Sequence, residues 1–80
     1  MTLDTFHANL GNIVHSALKR HARTRCDLAG RLGICDKNAE RRLTGQRGFR
    51  LNELLAAATW LGECAGDWLH EAGMNELTTA

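Results

Sequence analysis

Thr24-Arg25-Cys26-Asp27-Leu28-Ala29-Gly30-Arg31-Leu32-Gly33-Ile34, followed by Cys35-Asp36-Lys37-Asn38-Ala39-Glu40-Arg41-Arg42-Leu43-Thr44-Gly45, is the stretch whose residue types decide the fold. Two short helices joined by a tight turn must cross closely, and that restricts what can stand at the crossing. Leu28 and Leu32 lie one turn apart and supply a buried face for the first helix. Ala29 sits between them, small enough for a second helix to pass over. Gly33 makes the turn, because the left-handed conformation of a tight helix end is cheap only for glycine. Ile34 plugs the space beneath the turn, and Ala39 and Leu43 bury the inner face of the second helix. Thr24 and Asp27 approximate a capping box, with Asp in place of the usual Glu. The pattern predicts helices over residues 25–32 and 36–44, the second stopped by Gly45, crossing as a helix-turn-helix of about residues 24–45.

On the N-terminal side, Leu3, Phe6, Leu10, Ile13, Val14, Ala17 and Leu18 follow the i, i+3, i+4, i+7 spacing of one helical face. Asp4 or Thr5 is the expected cap of this helix, and Lys19, Arg20 and His21 suit the negative end of its dipole. On the C-terminal side, the loop Gly45-Gln46-Arg47-Gly48 leads to a helix over residues 51–61. Leu51, Leu54, Leu55, Ala58 and Leu61 are predicted to share its inner face, and Gly62 ends it. A short fifth helix over about residues 66–72 carries Trp68 and Leu69, and residues 74–80 are expected to fray. With no repeat, linker or low-complexity tract, 80 residues make one all-α domain of four to five helices around a modest core.

Charge is distributed unevenly along this chain. All ten Lys and Arg residues lie between Lys19 and Arg50, a stretch holding three acids (Asp27, Asp36 and Glu40), for a formal charge of +7. The other six acids lie outside it, so a net charge of +1 conceals a basic middle flanked by acidic ends. Local field rather than net charge decides what a surface attracts, and such a block points to a polyanion, most often nucleic acid. At about 100° per residue, Ala39 and Leu43 fall on one side of the second motif helix. Lys37, Arg41 and Thr44 fall opposite, flanked by Asn38 and Glu40. A helix of purely structural use has no need to face outward beside so many bases.

Other chemistry finds little support. No apolar run approaches the ~20 residues that span a bilayer, and Met1-Thr2-Leu3-Asp4 lacks the basic and apolar regions of a secretion signal, so a cytoplasmic location is expected. Cys26, Cys35 and Cys64 form no C-x-x-C pair and are expected to be reduced, buried thiols. Together with His7, His15, His21 and His70 they show no zinc-ligand spacing. No metal or cofactor is expected, and with no nucleophile–base pair the chain does not read as an enzyme.

By residue type and spacing, the segment from Thr24 to Gly45 resembles the DNA-binding domains of the lambda-repressor/Cro family, the XRE-type helix-turn-helix. The likeness extends over roughly residues 10–70, through Gly45 and Arg47 in the loop, Trp60-Leu61-Gly62, and Asp67-Trp68-Leu69. It implies a small sequence-specific regulator of transcription whose second motif helix lies in the major groove of an operator. The residues carried over as base readers are Asp36, Lys37, Asn38, Glu40, Arg41 and Thr44. Lys37 and Arg41 would donate to guanine, Asn38 would pair with adenine, and Asp36 or Glu40 would accept from cytosine. Phosphate contacts would fall to Arg23, Thr24 and Arg25 at a helix N-terminus and to Gln46 and Arg47 in the loop. Trp68 and Leu69 would either form a two-fold dimer or close the monomer's own core. A bacterial or phage-infected cytoplasm is the implied setting.

Two positions depart from the family pattern. Arg42 stands where an apolar side chain is usual, so its stem must pack while the guanidinium reaches water. Arg50 stands where a Ser or Thr usually caps the fourth helix, so that cap is absent or shifted. Two rival functions stay open: a DNA-architectural or recombination factor or self-repressing antitoxin, and a protein-interaction module with a basic face. Cys35, beside Lys37 at the start of the second motif helix, also suggests oxidation as a switch on DNA binding.

Overall fold

The computed structural model describes residues 3–73, with side chains from residue 5 onward. These residues form five helices and no strand: α1 (Leu3–Arg20), α2 (Arg25–Leu32), α3 (Asp36–Thr44), α4 (Leu51–Leu61) and α5 (Ala65–Glu71). The expected all-α architecture is found. The expected fraying of residues 74–80 lies outside the described residues. No described helix is long and apolar enough to cross a membrane.

α1 is the spine against which α3 and α5 pack; α2 packs on α3 and α4, and α4 on α5. Its inner stripe of Phe6, Leu10, Val14, Ala17 and Leu18 is buried, with Ile13 at the margin. Into this stripe pack Leu28, Leu43, Leu54, Ala57, Ala58, Leu61, Ala65, Trp68 and Ala72, one contiguous core drawing on all five helices. The described helix already includes Leu3, so Asp4 and Thr5 are helical residues and neither stands at the N-cap position. At its other end the chain turns through Ala22 in a left-handed conformation (φ 54°), closed by the Arg23 N–H donating to the Leu18 carbonyl at 2.8 Å. A non-glycine residue there costs roughly 1 kcal/mol, and the sharp reversal sets up the start of α2.

α2 starts with the expected capping box. The Asp27 N–H donates to Thr24 Oγ1 at 3.2 Å, and the Thr24 N–H donates to Asp27 Oδ2 at 3.0 Å. That second bond holds the Asp27 carboxyl below its ordinary pKa. Gly33, Gly45 and Gly62 terminate α2, α3 and α4 as expected. Gly45 is constrained twice over: φ is +87°, and a Cβ there would lie 2.7 Å from the Ala8 Cα. Gly11 is the other close approach, for a Cβ on it would stand 2.3 Å from the Leu43 carbonyl oxygen. Ala8 and Gly11 together let α1 press directly on the end of α3.

One expectation about burial and one about helix bounds are corrected here. Leu51 and Leu55 do not join the core; they are 64% and 51% exposed, and the inner face of α4 is Leu54, Ala57, Ala58 and Leu61. Leu51 and Leu55 lie on the flank of that face, and neighbouring helices cover only one side of α4. The fifth helix starts one residue earlier than expected and ends at Glu71, with Ala72 as its right-handed C-cap.

Candidate nucleic-acid interface

The crossing of α2 and α3 is built from small residues: Ala29 is 5% exposed and Ala39 fully buried, beside Leu28, which is also fully buried. This packing turns one side of α3 inward, with Ala39, Arg42 and Leu43 buried. Lys37, Glu40 and Thr44 are exposed on the other side, while Asp36, Asn38 and Arg41 are half-buried. Lys37, Glu40, Arg41 and Thr44 line one shallow depression together with Gln46 from the following loop. Thr44 Oγ1 turns back to donate to the Arg41 carbonyl at 3.2 Å. The Arg47 N–H reaches that same carbonyl at 3.2 Å, tying the loop to the end of α3 and leaving the Arg47 side chain exposed.

The residues expected at the phosphates are dispersed among four environments. Arg25 is engaged with the acids of α3. Its Nε and Nη2 donate to Asp36 Oδ1 and Oδ2 at 3.0 and 2.8 Å, a bidentate pair, and Nη1 lies 3.7 Å from Glu40 Oε1. The Cys26 thiol adds a contact to Asp36 Oδ1 at 3.3 Å. The hydrogen bond from Arg25 holds the Asp36 carboxyl below its ordinary pKa, while the bond to Asp36 raises both the Arg25 guanidinium and the Cys26 thiol. Arg23 lies over the Trp60 ring, its guanidinium carbon 5.5 Å from the ring centroid. Thr24 is occupied as the α2 cap, and Gln46 and Arg47 are exposed beside the C-terminal end of α3.

Arg42 corrects the sequence reading. Its guanidinium is turned largely inward instead of being left to solvent: the residue is 9% exposed, Nε donates to Glu53 Oε1 at 2.9 Å, and Nη1 donates to the Asn38 carbonyl at 3.2 Å. Glu53, 7% exposed, also accepts the Arg50 N–H at 2.9 Å. Burial alone would raise the Glu53 carboxyl, but the bonds from Arg42 and from the Arg50 backbone carry it below its ordinary pKa. Arg50 has no acceptor atom, so only the Glu53 half of a capping box forms at α4. One buried carboxylate thereby starts α4 and anchors α3.

A second carboxylate was equally inconspicuous in the sequence. Glu63 accepts from Arg20 Nη2 at 2.7 Å and Trp68 Nε1 at 3.0 Å, and its Oε2 lies 2.7 Å from His21 Nε2. It ties the end of α1 to α5, and the Trp68 bond is the first cause of its depressed pKa. Trp68 is 2% exposed and closes the chain's own core, while Leu69 is half-buried against it. All three cysteines are exposed free thiols, contrary to the expected burial. Cys35 is the N-cap residue of α3 and makes no side-chain capping bond. His7 sits under the loop, close enough that a Cβ on Gly48 would meet its ring, and its Nδ1 is buried without a hydrogen-bond partner.

A second groove runs on the other side of α3. Glu40 and Thr44 line it again, now with Leu43, Arg25 and two α1 residues, Asn12 and His15. The exposed edge of α3 is therefore a ridge between two depressions. No known protein-family profile matches this sequence, and no curated protein matches it.

Proposed function

We propose that the chain is a sequence-specific regulator of transcription that binds duplex DNA by inserting α3 into the major groove. The observation that carries this reading is the exposed side of α3. Lys37, Glu40, Arg41 and Thr44 share a depression with Gln46, on a helix whose opposite side is held by Ala39, Leu43 and the buried Arg42. An α-helix with its side chains is ~10–12 Å across and fits a major groove ~12 Å wide. Lys37 and Arg41 donate to guanine O6 and N7, Asn38 pairs with adenine, and Glu40 or Asp36 accepts from cytosine N4.

The acids on this face would repel phosphates if left bare. Arg25 offsets them, holding Asp36 in a bidentate pair and standing near Glu40. It thereby serves as much to shield and orient acceptors as to touch phosphate. Arg23 and the α2 N-terminus, with Gln46 and Arg47 in the loop, are the phosphate contacts that set register. The mechanism is operator occupancy in the cytoplasm and needs no cofactor. Pairing of two copies through α5 would rest on Leu69, because Trp68 is committed to the core.

Fluorescence anisotropy against salt tests the reading. Affinity for duplex DNA should fall steeply as salt rises, because phosphate contacts release counterions. Arg41→Ala should lower affinity for a preferred duplex roughly tenfold or more and relax preference at one base position. Equal binding to all duplexes would favour an architectural factor; salt-independent absence of binding would favour a protein-interaction module.

A further inference from the structure

We infer that Asn12 and His15, in the middle of α1, are contacts for the DNA backbone on the side of α3 opposite the loop. The inference rests on the proposed docking of α3 and adds a surface to it. The contact at Gly11 comes first. Because no Cβ separates Gly11 from the Leu43 carbonyl, α1 lies directly against the last turns of α3. Asn12 follows at the next position and His15 one turn beyond Gly11, so both are carried up beside the exposed ridge. Both side chains are exposed, and both line the groove whose far wall is Glu40 and Thr44.

A helix that fills the major groove has a sugar–phosphate wall on each side. On one side the protein offers Gln46 and Arg47. On the other side the charged groups at hand are Arg25 and Glu40, and Arg25 is taken up by Asp36 and Glu40. Phosphate on that side therefore meets Asn12 and His15, whose amide and imidazole N–H groups are donors. Lys19, one turn further along α1, adds a distant positive charge. Such contacts position the protein on DNA and carry no base preference.

The test compares affinities for a preferred duplex and an unrelated duplex of equal length. The double variant Asn12→Ala/His15→Ala should weaken both by a similar factor, roughly tenfold, without changing the ranking of bases. His15→Lys places a fixed positive charge at the same point; it should tighten both and steepen the salt dependence by about one counterion. That gain cannot come from misfolding. Ser16→Lys, exposed on α1 in a neighbouring groove with Ile13, Arg20 and Glu71 that shares Asn12 with the first but holds no α3 residue, is the control for long-range charge. The inference is overturned if the double variant binds like the parent, if it alters base ranking, or if His15→Lys gains no more than Ser16→Lys. Those results would leave the docking of α3 standing, whereas an unaltered chain that binds neither duplex would overturn both.

Discussion

At the scale of single residues, the chemistry is dominated by acids that are held by named bases. Glu53 is the deepest of them, sandwiched between Arg42 and the start of α4. Removing Arg42 as Arg42→Ala strands a buried carboxylate and should cost about 3 kcal/mol of stability at neutral pH, measured by urea denaturation. Glu53 has a folded pKa below its ordinary 4.5. Its contribution is therefore complete above that value and is lost as pH falls through the lower, folded one. The gap between Arg42→Ala and the parent should accordingly narrow in acid; a gap constant down to pH 3 would contradict the account. Arg25 offers a second test. Arg25→Ala should weaken DNA binding roughly tenfold, because it exposes two acids to the phosphates. Adding Asp36→Asn should restore most of that loss, whereas a simple lost phosphate contact would not be restored. Neither pair was legible beforehand. Arg42 and Glu53 are eleven residues apart, as are Arg25 and Asp36, and periodicity within one helix says nothing of partners between helices.

At the scale of elements, periodicity and punctuation located α2, α3 and α4 because each is bounded by residues with a local physical role. The Thr24–Asp27 box and the glycines at 33, 45 and 62 act through their own backbone, so their effect survives without tertiary context. Leu51 and Leu55 fall outside the core because a helical face predicted from leucine spacing is wider than the face that α4 buries. Gly11 does carry a sequence signal: a glycine inside an otherwise regular helix, where it costs ~1 kcal/mol relative to alanine, usually answers a close approach. Gly11→Ala should gain that propensity yet lose more to the clash with the Leu43 carbonyl, for a net destabilisation of about 1–3 kcal/mol by thermal or urea melts. Stabilisation instead would mean that α1 and α3 are not pressed together here. Ala22, which adopts a left-handed conformation without being glycine, had no sequence signal at all.

At the scale of the whole molecule, the segregated charge acquires a location. The basic block from Lys19 to Arg50 covers the end of α1, both crossed helices and the loop after them. Its three acids are not incidental: Asp27 caps α2, while Asp36 and Glu40 stand on α3 in the reach of Arg25. The surface that results is basic around a ridge of mixed donors and acceptors, which suits selective docking better than indiscriminate attraction to polyanions. Selection of bound duplexes from a random pool tests this claim most directly. The account predicts enrichment of a short motif the length of one major-groove face, with positions that lose preference when Lys37 or Arg41 is replaced by alanine. Recovery of duplexes with no shared motif, or of none above background, would contradict it.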